Sequence, residues 1–260
     1  MSRATLLSVP EVNHKIKKNI KVGYYTYSLN LAHSDISGYN VCPKANRLSR
    51  NENHPKKSTC SSVCVAYNGN AQIYAAVMES RINKTLTLFT NTTPFYERLD
   101  LEISRGIAKA KKLGLTPGFR LNAYSDIRHE NFKFPDGKNI FEKYPNVKFY
   151  DYTKLINREV PENYQLTYSY YGDIEEAHQS LVSGVNVAIV FSSVPKEYTI
   201  KGRAYKVIDG DETDVRLDEK VNGRSVIVGL KFKGSKEGLK EAIEEGFCID
   251  NEGKETDERS

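Results

Sequence analysis

The sequence predicts an α/β fold built on parallel strands, and more specifically a (β/α) barrel that is either complete or irregular in its later units. Two observations favour this architecture. Short β-branched and aromatic runs, typical of buried strands, alternate with amphipathic or polar segments along the chain. Eight such runs fall between residues 22 and 231, which is the strand number of a (β/α) barrel. An open doubly wound sheet is the alternative. Both architectures place ligands at the carboxyl ends of the strands.

The predicted strands share a high content of Val, Ile, Tyr, Phe and Thr. They cover residues 22–31, 85–90, 118–122, 147–152, 165–170, 187–192, 204–208 and 225–231. Helices are predicted over 72–81, 173–181 and 236–245. The clearest helix begins at Thr93 and Pro94 and ends at Gly114, because these residues suit a cap, a first turn and a stop. Its apolar stripe recurs at helical spacing in Phe95, Leu99, Ile103, Ile107 and Ala110.

The composition is that of an ordinary globular protein, with 39% hydrophobic and 27% charged residues. We expect one domain over 22–249, a basic segment over 1–21 and a disordered acidic tail over 250–260. The chain contains no run of about 20 apolar residues, and its N-terminus lacks the apolar run of a signal peptide. These features predict a cytoplasmic protein without a membrane partner. Its four cysteines should therefore be thiols or metal ligands rather than disulfides.

The charge balance is basic, since 38 Lys and Arg residues against 33 Asp and Glu residues give a net charge of +5. The excess is densest over 15–21 and 47–57, where the second stretch includes Arg47, Arg50, Lys56 and Lys57. Basic surfaces attract polyanions, and nucleic acid is their usual partner. A solvated face that keeps the protein in solution is the other interpretation.

Three cysteines lie in a polar, basic segment that follows the first predicted strand. Cys42 and Cys60 are separated by 17 residues, and Cys60 and Cys64 by three. Cysteine is normally one of the most buried residue types, so three in a hydrophilic segment point to ligation. Three thiolates can hold a [4Fe–4S] cluster, whereas zinc would need a fourth ligand such as His33 or His54. Unrelated thiols are the remaining alternative.

Polar side chains also follow the third to fifth predicted strands, where barrel sites are assembled. The segment RLNAYSDIRHE extends to His129 and Glu130, and FYDYTK and LTYSYYGD follow it in the chain. We assign catalytic roles to Asn122, Asp126 and Lys154. Substrate-binding roles are assigned to Arg120, Ser125, Asp151, Tyr152 and Ser169. The alternative is that these residues only cap and terminate strands.

A further acidic segment, 209–214, holds four carboxylates within six residues. Oxygen ligands of this kind suit Mg²⁺ or Ca²⁺, although an acidic turn is the commoner use of such a segment. Cys248 lies near the acidic tail and is expected to be a spare thiol.

Two family resemblances rest on these motifs. The segment Cys60-Ser-Ser-Val-Cys64-Val-Ala-Tyr67 resembles the CxxxCxxC motif of the radical S-adenosylmethionine (SAM) superfamily. Tyr67 stands in place of the third cysteine, so Cys42 would supply that ligand. The segments SGYNVCP, CSSVCVAYNG, RLNAYSD, FYDYTK, DGDETDVR and IVGLKFKG resemble the phage gene product 88 family. The first resemblance implies a [4Fe–4S] cluster whose open iron binds SAM. The second implies a phage origin and hence the host cytoplasm.

These observations predict a phage-type iron–sulfur protein, with a radical-SAM-like enzyme acting on nucleic acid or a nucleotide as the leading hypothesis. The runner-up is a nucleic-acid-binding protein stabilised by zinc. A third hypothesis is a divalent-metal nuclease that uses Asp126, Glu130, Asp151 and the 209–214 segment.

Overall fold

A ten-stranded, mostly parallel sheet organises the protein, as seen in a computed structural model that describes residues 5–44, 75–217 and 219–251. The strand order is β1-β2-β3-β4-β5-β6-β9-β8-β7, with β10 pairing β6 beside this path. The strands are β1 (Leu7–Ser8), β2 (Tyr24–Leu29), β3 (Thr116–Arg120), β4 (Lys148–Thr153), β5 (Tyr164–Ser169), β6 (Val187–Phe191), β7 (Glu197–Ile200), β8 (Arg203–Asp209), β9 (Ile227–Lys231) and β10 (Cys248–Ile249). The helices are α1 (His14–Lys17), α2 (Ala75–Thr90), α3 (Thr92–Lys112), α4 (Ile174–Val182) and α5 (Lys236–Glu244).

The sheet has an apolar face and a polar face, because successive side chains of a strand point to opposite sides. On the apolar side Tyr27 stacks on Phe119, and its hydroxyl donates to the carbonyl of Gly106 in α3. A Cβ at Gly106 would lie 2.9 Å from the Tyr27 ring, so glycine permits this close approach of α3 to β2. On the polar side the amide of Asn19 donates to Thr26 and Tyr150. The turn that follows α1 thus covers the polar face.

The prediction of a parallel α/β sheet is confirmed, whereas the barrel is not. Among the described strands, β1 and β7 form the two edges, and each pairs with one neighbour only. Both edge strands are antiparallel to that neighbour, unlike the parallel strands between them. A barrel needs its first and last strands to pair, and the two-residue β1 offers little backbone for that pairing. The sheet is therefore open.

The predicted strand over 85–90 is wrong, because these residues form the last turns of α2. The threonine side chains of this stretch form hydrogen bonds with the backbone of the same helix. Hydroxyls of Thr85, Thr87 and Thr90 donate to the carbonyls four residues earlier, at 2.7–2.9 Å. Threonine can satisfy its hydroxyl in this way, so a β-branched run does not exclude a helix. The preceding residues of the predicted 72–81 helix belong to α2 from Ala75 onward.

The other helices follow the predictions closely. Helix α3 buries four of the five residues in its predicted stripe, and Ile107 packs partly buried against the same core. It begins one residue before Thr93, after Asn91, and Gly114 follows its end with a φ of 68°. Asp173, the first residue of the predicted 173–181 helix, caps α4 by accepting from two backbone N–H groups. No helix in the described ranges is both long and apolar enough to cross a membrane.

Candidate functional site

A small pocket lies at the carboxyl ends of β2 and β3, the edge at which ligands of parallel sheets bind. Its walls are Asn13, Ile16, Ser28, Arg120, Ala123 and Tyr124. The space is about 10 Å³, enough for about one water molecule. Two strands, the N-terminal segment and the turn after β3 therefore contribute to one concave site.

Cys42 lies beside this pocket. Its sulfur accepts a hydrogen bond from the backbone N–H of Ser34 at 3.3 Å and lies 3.5 Å from the carbonyl oxygen of Tyr124, a pocket residue. The neighbouring Val41 carbonyl accepts from the N–H of Asp126, which ties the cysteine segment to the turn after β3. One predicted ligand is thus at the carboxyl edge. Cys60, Cys64 and His54 lie outside the described residues.

Cys248 occupies a different place. Cys248 is buried on β10, where it pairs with Val190 of β6. Val190 lies two residues past Ala188, the last residue of β6 that pairs with β5. Burial raises the pKa of the Cys248 thiol to about 11, and the charge of Asp250 adds to this effect. The thiol is therefore protonated near neutral pH.

Arg81 of α2 contacts the pocket residue Tyr124, and the charge of Arg81 also acts on His33. The Arg81 guanidinium lies 4.2 Å from the centroid of the Tyr124 ring. His33 is buried in the segment that follows β2, one residue before the Ser34 N–H that donates to Cys42. Burial lowers the pKa of His33, and the charge of Arg81 lowers it further. An uncharged imidazole is the form in which histidine binds metals.

Arg120 carries the charge of the pocket wall. Its Nη1 donates to both carboxylate oxygens of Asp214 at 3.0 Å, and its Nε lies 3.5 Å from Asp151. Burial opposes the charge of Arg120, but the two carboxylates outweigh burial and raise its pKa. The guanidinium is also 4.9 Å from the ring centroid of Tyr152. Arg120, Asp151 and Tyr152, three predicted substrate-binding residues, therefore lie together.

Asp151 and Asn122 hold the turn after β3. The Asp151 carboxylate accepts from the backbone N–H groups of Leu121 and Asn122 at 3.0 and 2.9 Å, and from the Tyr164 hydroxyl at 3.1 Å. The Asn122 amide oxygen accepts from the Ser125 hydroxyl and from the backbone N–H two residues beyond it. These three predicted site residues thus shape the backbone that carries Tyr124.

Asp126 and Glu130 are ion-paired with Arg158, which sequence reasoning missed. The Arg158 side chain is 1% exposed and donates to Asp126 at 3.0 Å and to Glu130 at 2.7 Å. Asp126 also accepts from the Thr153 hydroxyl and from the backbone N–H of Lys154. These bonds occupy the carboxylates that the nuclease hypothesis assigned to a metal.

Lys154 and Ser169 meet at the neighbouring ends of β4 and β5. The Lys154 ammonium lies 3.1 Å from the Ser169 hydroxyl and 5.4 Å from the centroid of the Tyr171 ring. Lys44 approaches the same ring at 5.6 Å and pairs with Glu176 of α4. Within the described ranges no carboxylate forms an ion pair with Lys154. The structure therefore divides the predicted residues between the Arg120 pocket and this second group.

The acidic segment 209–214 is used within the fold. Asp214 pairs with Arg120, and Asp211 pairs with Lys233 and accepts from the backbone N–H of Lys231. Arg216, another residue whose role the sequence did not reveal, is buried and donates to Tyr152, Glu219 and nearby carbonyls. Among the residues that the structure describes, no three His, Cys, Asp or Glu side chains form a metal-binding group.

His129 is buried behind the turn after β3, with its Nδ1 2.8 Å from the Tyr96 hydroxyl and its Nε2 3.3 Å from the Leu121 carbonyl. Burial lowers the pKa of His129 to about 4, and the charge of Arg158 contributes. In the unfolded chain this pKa is about 6.5. The contribution of neutral His129 to the free energy of unfolding is therefore complete above about pH 6.5. It is lost as the pH falls toward the pKa of His129 in the folded protein.

Replacing His129 with glutamine should accordingly remove part of the pH dependence of stability. Between about pH 7.5 and pH 5, we expect protonation to cost the wild type about 2 kcal/mol through this residue. The measurement is the free energy of unfolding by denaturant at the two pH values. Protonation of Asp151 changes the free energy of unfolding in the opposite direction, because burial raises the pKa of Asp151 to about 7. Asp151 is present in both proteins, so its effect cancels in the comparison. His178→Gln, on α4, is the control, and an unchanged pH dependence in His129→Gln would contradict the assignment.

Sequence reasoning identified Arg120 and Cys42 but missed Tyr124, Asn13 and Ser28 as their neighbours in the pocket. For Tyr124 a signal was present, since it stands within the RLNAYSD segment between two assigned residues. Asn13 and Ser28 are brought there by α1 and β2, and nothing in their local sequence indicates the contact.

Comparison with known proteins gave one match. A family model described as Gene product 88 matches residues 5–251 of the 260. No curated protein and no solved structure matches the chain. The matched region contains every described strand and helix, together with Cys42 and the pocket.

Proposed function

The chain belongs to the gene product 88 family, and on that premise we propose that it is a phage-type iron–sulfur protein. Cys42, Cys60 and Cys64 bind a [4Fe–4S] cluster in this proposal, and the protein is a radical-SAM-like enzyme that acts on a nucleotide or nucleic acid. The observation that carries the proposal is the position of Cys42. Its sulfur lies beside a pocket at the carboxyl edge of the sheet and accepts a backbone N–H.

The surroundings of Cys42 suit a cluster ligand. A backbone N–H that donates to sulfur stabilises negative charge on it, and such bonds help to set the potential of iron–sulfur clusters. Cys42 is half-buried, so its sulfur is neither sealed in the core, like that of Cys248, nor fully solvated. Metal binding displaces the thiol proton, and the Ser34 N–H is already placed to compensate the resulting charge.

The path of the chain supports a shared site for the three cysteines. The described chain ends at Lys44, which pairs with Glu176 of α4, and it resumes at Ala75 in α2. Arg81 of the same helix contacts Tyr124, and six residues of helix rise place Ala75 about 9 Å from Arg81 along the axis. The eleven residues from Cys64 to Ala75 can span at most about 40 Å. Both ends of the segment therefore lie within reach of the same edge.

The radical-SAM resemblance requires the cysteine segment to follow the first strand of a parallel sheet. Strand β2 is the first of the parallel strands in the chain, and the segment with Cys42 follows it. A cluster held by three thiolates would supply an open iron for SAM, and it would pass on an electron received from an external one-electron donor for the reductive cleavage. In this proposal Arg120 faces the substrate, Asn122, Asp126 and Asp151 position the turn that carries Tyr124, and Lys154 is the candidate for proton transfer.

The cysteine assignment can be tested with four serine variants purified anaerobically. Iron–sulfur proteins absorb near about 400 nm, and we expect this absorbance to be lost in Cys42→Ser, Cys60→Ser and Cys64→Ser, because each removes one thiolate ligand. Cys248→Ser is the matched control and should keep the absorbance of the wild type, since its thiol lies on β10. The measurement is the absorbance per chain, together with bound iron.

A colourless wild type with one zinc per chain would contradict the iron–sulfur assignment and favour the zinc-stabilised alternative. Loss of the chromophore in Cys248→Ser, with retention in Cys42→Ser, would contradict the ligand set. Thermal unfolding of each variant shows whether a lost chromophore reflects a lost ligand or a lost fold.

A further inference from the structure

The ends of two neighbouring parallel strands bring a lysine and a serine together. Lys154 directly follows β4, and Ser169 is the last residue of β5. Thr153 pairs with Tyr168 in the register of these strands, so the next residue of each strand lies beside the other. The Lys154 ammonium is 3.1 Å from the Ser169 hydroxyl and 3.5 Å from the Ser169 carbonyl oxygen. Both residues are half-buried at the carboxyl edge, where ligands of parallel sheets bind.

Both side chains have a hydrogen-bond donor to spare. An ammonium has three N–H donors, and a hydroxyl has one O–H donor. The two oxygens of Ser169 accept from Lys154, and no other oxygen or nitrogen of the described residues does so. The Ser169 hydroxyl accepts from an ammonium, so its own proton points away from Lys154, and no group in the described ranges accepts it. Two adjacent donors therefore suit a ligand that carries acceptor oxygens.

The charges around this pair favour an anion as the ligand. Two carboxylates lie at this edge, and each is bonded to another cation. Asp126 pairs with Arg158 and accepts only the backbone N–H of Lys154, whereas Glu176 pairs with Lys44. No carboxylate of the described residues forms an ion pair with the Lys154 ammonium. Lys154 can therefore attract an anionic ligand without first breaking an ion pair.

The pair lies close to the segment that carries Cys42. Lys44 and Lys154 approach the same aromatic ring, with their nitrogens 5.6 and 5.4 Å from the centroid of Tyr171. Lys44 follows Cys42 by two residues, a stretch that spans at most about 7 Å. On the other side, Asp126 accepts the backbone N–H of Lys154 and donates its own N–H to the residue before Cys42. A group bound by Lys154 and a group beside Cys42 can therefore belong to one substrate.

We propose that Lys154 and Ser169 bind a phosphate group of the substrate. Lysine and serine side chains are common phosphate ligands, lysine as a point charge and serine as a hydroxyl donor. The inference rests on the proposed function, since it assigns the anionic part of the nucleotide or nucleic-acid substrate to a place on the sheet. Lys154 keeps the proton-transfer role given to it above, because an ammonium that binds an anion is also an acid.

Phosphorus NMR titration of the full chain tests the proposal with methyl phosphate and dimethyl phosphate. Methyl phosphate represents the terminal phosphate of a nucleotide, and dimethyl phosphate represents the diester of nucleic acid. At least one of them should bind at millimolar concentrations, and the tighter one identifies the source of the phosphate. Lys154→Met should weaken binding at least about 10-fold, the loss of a hydrogen bond to a charged group. Ser169→Ala should weaken it about 2- to 10-fold, the loss of a neutral hydrogen bond.

Lys133→Met is the matched control, because it removes an exposed lysine that pairs with Glu142 on the surface, and it should bind like the wild type. Lys154→Arg keeps the positive charge and should bind more tightly than Lys154→Met. The Cys60→Ser protein separates this inference from the proposed function, since phosphate binding should persist in it whether or not the wild type holds a cluster. Failure of both probes to bind, equally tight binding of acetate, or wild-type affinity in folded Lys154→Met would overturn the proposal.

Discussion

Replacing Arg158 with methionine is expected to lower the free energy of unfolding by about 3–5 kcal/mol, the cost of breaking a buried ion pair from one side. The Arg158 side chain is 1% exposed and is bonded to Asp126 and Glu130. Methionine fills similar space but leaves both carboxylates without their cation. The measurement is the midpoint and free energy of unfolding in denaturant near neutral pH.

Lys133→Met is the matched control for Arg158→Met. Lys133 pairs with Glu142 on the surface, with nearly half of each side chain exposed, and such pairs contribute at most about 1 kcal/mol. Adding Asp126→Asn and Glu130→Gln to Arg158→Met should recover part of the lost stability, because no unpaired charge then remains buried. An Arg158→Met protein within about 1 kcal/mol of the wild type would show that these carboxylates do not depend on Arg158.

Asp151→Asn is the second substitution with a large expected effect. It should lower the free energy of unfolding by about 3 kcal/mol or more. The carboxylate accepts from two backbone N–H groups and from the Tyr164 hydroxyl, and it lies 3.5 Å from Arg120. An amide of the same shape brings N–H groups toward these donors, so at least one buried donor loses its acceptor. The measurement is the free energy of unfolding, compared with that of Asp151→Ala.

Glu162→Gln, an exposed change just before β5, is the control and should lie within about 0.5 kcal/mol of the wild type. If Asp151 were mainly a substrate ligand, Asp151→Asn would keep the free energy of unfolding of the wild type. That outcome would contradict the positioning role assigned to Asp151.

Local patterns predicted much of the fold. The stripe of α3 follows from residue spacing, and the structure contains it. The 85–90 stretch failed because composition alone does not show that threonine hydroxyls bond to carbonyls within a helix. Strand β10 was missed because it has only two residues, and these are extended through their pairing with β6 rather than through a local sequence pattern. Whether the sheet closes into a barrel depends on whether its two edge strands pair with each other. The positions of the strands in the sequence do not specify that pairing.

The candidate site was predictable as a group of residue types but not as a set of contacts. Arg120 and Asp214 are 94 positions apart, and Arg158 and Asp126 are 32 apart. Such pairs form only when the sheet brings distant strand ends together. Sequence reasoning assigned Asp126 to catalysis and Asp151 to substrate binding, and it did not predict that both carboxylates accept from backbone N–H groups at strand ends.

Analysis of iron and acid-labile sulfide in the anaerobically purified wild type tests the cluster proposal most directly. A [4Fe–4S] cluster predicts about four iron and four sulfide per chain, with absorbance near about 400 nm that bleaches on reduction. The remaining thiol, on β10, should still react with a thiol reagent after unfolding in that sample. Stoichiometric zinc without iron, or a folded protein that holds no metal after anaerobic purification and reconstitution with iron and sulfide, would contradict the proposal.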